Sequence, residues 1–483
     1  MLKILNATFI LSLSTIIKLI IGIIKTKLTA IILLPSGVGI FSQANQFIMS
    51  ITSITSLGIG MGVTKYTSEF LKENKKEKLI QTITTSLIIQ SFLCIITILI
   101  SIIFIKPISV LLFSDKNYFS LIIILLISIP FSTFSTLSSP IFFGIYKYKT
   151  YTISTILGLL LSFIPFPILI LLYGLNGAIY TLLLTSIITF IVYFFYIWKE
   201  MIPIVENIGK VKLFDINLSI NLVKYGITIL INIMGFSITT LMIRSILISK
   251  LGPDANGYYQ VAFALSGYYI PLVTNGIWGH FYPQMNILRK NLEKEKEINT
   301  TLRFCVLLST PIILLILIFR EFLINLIYSS EFLPAIEVIN YQLLGDLFYV
   351  LSCIFSTSFL SLSKLWTFFS LNIMVYIISI LFPIILIDYF SVSSVTIAYT
   401  IAHFLFTIIS IILLRNYINF HIEKRNIFLI ILSIVLIFIG IYINNNIHMM
   451  IFKILLLILW FFIVLSNDEK EKLYSKILQF LKK

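Results

Sequence analysis

Leu121-Ile-Ile-Ile-Leu-Leu-Ile-Ser-Ile129 is apolar at eight of nine positions. It lacks the alternation that lets a membrane β-strand keep one side toward a polar lumen. It therefore reads as helix, and the chain around it repeats the pattern. A helix needs about 20 mainly apolar residues to cross the roughly 30 Å hydrocarbon layer. Fourteen stretches meet that window: 6–34, 38–64, 80–105, 118–142, 150–173, 175–198, 218–249, 257–285, 300–320, 334–360, 366–387, 392–414, 426–444 and 448–465. The expected fold class is an all-α polytopic membrane protein of about fourteen transmembrane helices.

Composition agrees. Of 483 residues, 59% are hydrophobic and 11% charged, with a mean hydropathy of +1.05, whereas soluble domains carry about a quarter charged residues. A soluble chain of this length would also split into domains joined by polar linkers, and none is found. A secreted globular enzyme, a disordered scaffold and a nucleic-acid-binding module are excluded. The net charge of +15 sits in short loops between apolar runs, which is a mark of membrane topology rather than of a DNA-facing stripe. The start, Met1-Leu2-Lys3, mimics a signal peptide, but Lys18, Lys25 and Lys27 interrupt the apolar run, so it is read as an uncleaved first span. Cys94, Cys305 and Cys353 lie in apolar runs without CxxC spacing and read as small buried hydrophobes.

The charges also orient the chain. With the N-terminus in the cytoplasm, the even-numbered turns face inward. They collect Lys65, Lys72, Lys75, Lys76 and Lys78, then Lys147 and Lys149, then Lys199, Lys210 and Lys212, then Arg289, Lys290, Lys294 and Lys296, then Lys364, then Arg415, Lys424 and Arg425. The tail adds five more lysines, while the outward turns hold only Lys106, Lys116, Lys250 and Arg320. This is the positive-inside pattern and it places both termini inside. No extramembrane segment exceeds about 20 residues and no GxxxxGK[ST] motif occurs, so no nucleotide-binding domain is expected.

An internal repeat organises the spans. Pro35-Ser-Gly-Val-Gly39-Ile-Phe-Ser-Gln43 returns as Pro253-Asp-Ala-Asn-Gly257-Tyr-Tyr-Gln260; Lys72–Lys78 returns as Lys290–Lys296; Leu111–Ser114 returns as Leu326–Ser329; and Lys149 finds its mate in Lys364. Six spans per half is an even number, so the halves insert in the same orientation, related by an axis along the membrane normal. The expected domains are an N-terminal six-helix lobe, 1–198, a cytoplasmic linker, 199–217, and a C-terminal six-helix lobe, 218–414. Two additional helices, 415–466, and a basic cytoplasmic tail, 467–483, complete the chain. Two such lobes would enclose a central cleft.

Ionisable residues inside spans are costly and are functional candidates by default. Lys18 and Lys25 are two turns apart on one face of span one; Lys27 follows. Arg244, in span seven, falls level with Lys25 and Lys27 when the proline motifs are superposed. Fixed cations so placed suit an anion, a phosphate above all, although snorkelling to the interface accounts equally for Lys27 and better for Lys224. Asp346, in span ten, reads either as the partner of a buried cation or as a proton or sodium site. Lys65 and Glu69 have the spacing of a local helix pair or of a gate contact. Gln43, Asn45, Gln46 and Gln260 form polar faces, and Tyr258, Tyr259, Tyr268, Tyr269 and Trp278 supply aromatic surface for sugars, for core or for an interface belt. His280 and His403 read as hydrogen-bonded packing. No metal-ligand cluster and no cofactor motif is found.

The basic residues late in span one, Pro35-xxx-Gly39-xxx-Gln43, Gly58-Ile-Gly60, Lys65-Tyr-xx-Glu69, Leu251-Gly-Pro-xxx-Gly257-Tyr-Tyr-Gln260 and Gly345-Asp346 together resemble the polysaccharide flippases of the multidrug/oligosaccharidyl-lipid/polysaccharide exporter superfamily. The likeness covers residues 1–415 and is nearest to O-antigen and enterobacterial-common-antigen translocases. Leu34 departs from it, standing where the family has glycine before the proline. The resemblance implies a two-lobed bundle in a bacterial cytoplasmic membrane. It would move an undecaprenyl-diphosphate-linked oligosaccharide from the inner to the outer leaflet by alternating access, driven by proton or sodium. Lys18, Lys25, Lys27, Arg244, Gln43 and Gln260 would hold the substrate; Asp346, Lys65 and Glu69 would serve coupling or gating. Its partners would be membrane lipids, a polysaccharide polymerase and a chain-length regulator. A multidrug exporter of the same superfamily is the competing expectation. A membrane polymerase or glycosyltransferase would need catalytic groups on a sizeable outer loop, which this chain lacks.

Overall fold

A computed structural model describes residues 2–205, 212–442 and 447–464. The tail 467–483 and part of the linker, 206–211, lie outside the described residues. The helices are α1 Leu2–Ser56, α2 Gly60–Lys72, α3 Lys76–Ile103, α4 Ile105–Phe113, α5 Phe119–Ser135, α6 Ser138–Gly144, α7 Tyr148–Phe163, α8 Pro165–Val205, α9 Ile216–Leu251, α10 Pro253–Gly276, α11 Tyr282–Ile287, α12 Asn291–Ile327, α13 Ala335–Ser361, α14 Leu365–Phe390, α15 Ser393–Ile418, α16 Lys424–Tyr442 and α17 Ile447–Val464. Among the described residues there is no strand, and the chain is all-helical as expected. Over the described residues the fourteen apolar stretches lie mostly on helix, with a break at residues 57–59 inside the second. Nine helical segments among the described residues are by themselves long and apolar enough to cross a membrane.

Apolar side chains cover the outside as well as the core. Ile103, Trp366 and Tyr389 are exposed at 74%, 88% and 82%, which water would not tolerate over so many positions but lipid does. Trp366 and Tyr389 stand near opposite ends of α14. Their separation, at 1.5 Å per residue, is about 35 Å, matching the two interfacial levels where aromatic rings collect. Between helices, where lipid removes the hydrophobic drive, small polar contacts and close packing hold the fold. Thr55 and Thr133 share a hydrogen bond of 2.6 Å, and Ser132 and Ser186 one of 2.8 Å. The three cysteines are free.

The repeat is visible in the backbone. α1 kinks at Leu34 (φ 57°, ψ −178°) just before Pro35, and α9 ends at Gly252 (φ 88°, ψ 170°) just before Pro253. Both turns use the same positive-φ conformation, which glycine adopts freely and a side chain does not. Leucine there costs about 1–3 kcal/mol. Leu34→Gly is accordingly expected to stabilise the protein by about 1 kcal/mol after the entropy cost of glycine is subtracted. A lowered thermal midpoint in detergent would contradict this. A second pair corrects the register of the repeat. Lys147 N–H bonds Phe142 O and Tyr146 N–H bonds Phe143 O; Lys364 N–H bonds Phe359 O and Ser363 N–H bonds Leu360 O. These are two copies of one helix-ending motif with a left-handed residue, so Lys147, not Lys149, is the mate of Lys364.

The chain packs as two compact units. The first holds Met1–Val261, Ile324–Ala335 and Ser379–Val395; the second holds Ala262–Leu323, Ile336–Ile378 and Thr396–Lys483. In the first, α5 and α7 pack on α8, and α1 is covered by α5, α7, α8 and α9. So α9, which opens the second repeat, lies along the first helix of the first. In the second unit, Asn299 of α12 anchors α16. Its Nδ2 donates to His421 O at 2.9 Å, and its Oδ1 accepts from Glu423 N and from Asn426 Nδ2.

Candidate functional site

The polar residues of α1 recur at helical spacing and face α9. Gln43 is fully buried, and its Nε2 donates to Ser245 Oγ at 2.9 Å and to Leu112 O at 3.2 Å. One turn on, Gln46 Nε2 and Ser50 Oγ both donate to Ser237 O, at 3.3 and 3.2 Å. A ladder of neutral hydrogen bonds thus joins the opening helices of the two repeats. Asn45, on the other side of α1, is exposed.

At its Pro35 end the ladder meets the proline motifs. A β-carbon on Gly39 would lie 2.0 Å from Pro253 O, and one on Gly257 would lie 2.1 Å from Pro35 O. Each repeat's glycine therefore receives the carbonyl of the other repeat's proline. Arg244 fastens this junction. It is 2% exposed, with Nη1 donating to Ser42 Oγ at 2.8 Å and Asn256 Oδ1 at 3.2 Å, and Nη2 to Gln260 Oε1 at 2.6 Å. Its guanidinium lies 5.2 Å from the Tyr259 ring centroid. Asn256 completes the clasp, donating to Gly39 O at 2.7 Å.

Arg244, Gln43 and Gln260 thus meet where α1, α9 and α10 cross. The lysines of span one have other surroundings. Lys18 is exposed. Lys25 is half-buried, its Nζ 5.2 Å from the Phe166 ring centroid. Lys27 Nζ donates to Asn325 O at 2.6 Å and to Tyr328 O. It ties α1 to the carboxyl end of α12. Lys65 and Glu69 are both exposed on α2, Lys65 lying over the Tyr66 ring. Lys224 is exposed.

Asp346 of α13 occupies a separate centre, wholly within the second unit. It is 0% exposed. Its Oδ2 accepts from Ser266 Oγ and Tyr269 OH, both at 2.6 Å, and its Oδ1 accepts from Gln342 Nε2 at 3.0 Å and Tyr399 OH at 3.2 Å. Gly345 permits this: a β-carbon there would lie 2.5 Å from the Tyr399 ring. Among the described residues no cation pairs with the carboxylate. Four donors stand in for solvent around a buried anion, each such bond being worth about 1.5–3 kcal/mol. His403, wedged edge-on between Tyr349 and Tyr399, shares a 3.2 Å hydrogen bond with Ser352 and is packing as expected. No cluster with metal-ligand composition occurs among the described residues.

Ser42, Asn256, Ser266, Gln342 and Tyr399 escaped the sequence reading, since nothing in a single polar residue on an apolar helix says which neighbour it meets. Tyr259 and Tyr269 were visible as aromatic surface, but both are buried inward rather than placed in an interface belt. The motif spacing alone could have flagged Asn256, which sits one residue before the repeat glycine.

Comparison with known proteins places this architecture. The model of a family described as "Polysaccharide biosynthesis protein" matches residues 4–285. The lipid III flippase of Escherichia coli (strain K12) is 22% identical over 338 residues, 70% of this chain and 80% of that protein. Among solved structures, lipid II flippase MurJ in an inward closed conformation superposes with a TM-score of 0.69 at 16% identity, covering 97% of this chain and 99% of MurJ. An inward-facing multidrug resistance MATE family transporter of the MOP superfamily gives 0.69 at 17% identity, over 86% of this chain and 98% of that one. At these identities the solved structures establish the fold.

Proposed function

The chain belongs to the polysaccharide biosynthesis protein family, and from that premise we propose that it flips an undecaprenyl-diphosphate-linked oligosaccharide across a bacterial cytoplasmic membrane, with both termini and the lysine-rich turns inside. The observation that carries the reading is the junction of the proline motifs. Alternating access needs an end that closes tightly and reopens. Here the closure is made by reciprocal glycine–carbonyl contact and by hydrogen bonds to neutral groups, with one buried guanidinium at the centre. The guanidinium's hydrogen bonds to Ser42, Asn256 and Gln260 are of a strength that a few kcal/mol of substrate binding can offset.

Within this reading Lys18 and Lys25 take the diphosphate. A cation in a low-dielectric setting attracts phosphate far more strongly than one in water, and neither lysine has a carboxylate partner among the described residues. Arg244 acts in the closure and becomes available when α1 and α10 part. Lys27 positions α1. Asp346, a buried anion that a proton or sodium ion would neutralise, is the coupling group. Lys65 and Glu69 lie on the cytoplasmic extension of α2, at the opposite end from the junction. Sugar polymerisation and chain-length control belong to partner proteins.

Alanine at both Lys18 and Lys25 is expected to cut surface glycan about tenfold or more in cells depending on this protein, with its amount in the membrane unchanged. Undiminished glycan would remove these lysines from the mechanism. Drug export has the same fold in its favour. It would show as altered drug susceptibility on deletion with intact glycan.

A further inference from the structure

The turns that end α6 and α13, matched through Lys147 and Lys364, carry a further matched set. Thr150 and Glu200 stand 3 and 53 residues after Lys147, and Thr367 and Tyr417 stand 3 and 53 residues after Lys364. In the first repeat the three side chains form an anion clamp. Glu200 Oε2 lies 2.8 Å from Lys147 Nζ, and Glu200 Oε1 accepts from Thr150 Oγ1 at 2.7 Å. The clamped anion is the chain's own carboxylate.

The second repeat keeps the ammonium and the threonine and replaces the carboxylate. Lys364 Nζ lies 4.6 Å from the Tyr417 ring centroid, and Thr367 Oγ1 and Tyr417 OH share a hydrogen bond of 3.0 Å. Buried Phe359, edge-on to Tyr417 at 6.3 Å, holds that ring in place. A ring face attracts a cation but brings no counter-charge, and among the described residues no carboxylate pairs with Lys364. The two hydroxyls spend one proton on each other, which leaves the second to donate elsewhere. Lys364 is exposed and Thr367 and Tyr417 are half-buried, so an outside group reaches all three.

The neighbouring surface selects the anion. Trp366, exposed at an interfacial level of α14, is two residues from Lys364. Ile373, Ile377 and Ile384 follow Trp366 at the spacing of one helix face, and all three are exposed. That face suits acyl chains. A free phosphate gains nothing from it, whereas a lipid lays its chains along it and sets its headgroup at Lys364. A zwitterionic headgroup brings its own ammonium to the same place, so a headgroup of net negative charge is favoured.

We propose that Lys364, Thr367 and Tyr417 form a site for the phosphodiester of an anionic membrane phospholipid whose acyl chains lie along the Trp366–Ile384 face of α14. The site uses none of the residues assigned to the cargo, and it stands or falls independently of the flippase reading. The test measures Kd of the purified full chain in detergent micelles for phosphatidylglycerol, phosphatidylcholine and undecaprenyl diphosphate. The unaltered protein is expected to bind phosphatidylglycerol about fivefold more tightly than phosphatidylcholine. Lys364→Gln removes the charge, and Tyr417→Glu restores the first repeat's carboxylate and fills the clamp from within. Each is expected to weaken phosphatidylglycerol binding about fivefold and to leave the other two lipids unchanged. Equal affinity of the unaltered protein for the two phospholipids, or undiminished phosphatidylglycerol binding by either folded variant, overturns the site. A loss of undecaprenyl diphosphate binding as large as that of phosphatidylglycerol also overturns it, giving these residues to the cargo. Should Tyr417→Glu not be recovered folded, Lys364→Gln, at an exposed position, decides alone.

Discussion

Gly39→Ala is expected to reduce glycan transport at least about tenfold, because the closed junction has no room for a methyl group. The added carbon would sit 2.0 Å from Pro253 O, and the obstacle is backbone, which cannot swing aside as a side chain does. α1 and α10 would have to separate. That separation would also stretch the bonds from Asn256 to Gly39 O and from Arg244 to Ser42. Gly257→Ala, 2.1 Å from Pro35 O, should act alike, since the contact is reciprocal. The loss is expected to come from failure to close rather than from unfolding. A cysteine replacing Val38, which is 4% exposed, in a background freed of Cys94, Cys305 and Cys353, reports on this. It should be shielded from a membrane-impermeant maleimide in the Gly39 protein and labelled in the Gly39→Ala protein. Wild-type transport by Gly39→Ala would show that the junction is not part of the transport cycle.

Asp346→Asn is expected to abolish the dependence of flipping on an ion gradient while leaving the protein folded. Asparagine keeps the shape and one acceptor oxygen. On its nitrogen side, the Ser266 and Tyr269 hydroxyls can rotate to accept rather than donate. Asp346→Leu is different, because it orphans four buried polar groups at about 1–3 kcal/mol each and should lower the amount of protein recovered. In proteoliposomes carrying a proton or sodium gradient, the unaltered protein should redistribute lipid-linked glycan faster with the gradient than without. Asp346→Asn should fall about tenfold or more, to the gradient-free rate. A variant that still responds fully to both gradients would place the coupling group elsewhere. The two ions are separated by the same experiment, since each gradient is applied alone.

The twin motifs show what a linear reading reaches. Pro35–Gly39 and Pro253–Gly257 were legible as a repeat because repeats preserve spacing. The departure at Leu34 was legible too, although its physical content, a leucine in glycine's conformation, needed dihedral angles. The pairing of Lys149 with Lys364 was off by two residues because loop offsets drift, whereas the hydrogen bonds that end a helix do not. Arg244 was picked out as an intramembrane cation. That it clasps Ser42, Asn256 and Gln260 was beyond the pattern, since those partners lie 202, 12 and 16 residues away.

Helix class, the apolar runs long enough to span a membrane and the duplicated motif were all written in the chain, because each is a short-range property: apolar run length, periodicity and preserved spacing. Which polar side chains meet was left to packing. The shell of four donors around Asp346 and the clasp on Arg244 are each built from residues on several different helices. Their meeting depends on helix rotation and on close approach at glycines, which no local stretch of sequence encodes.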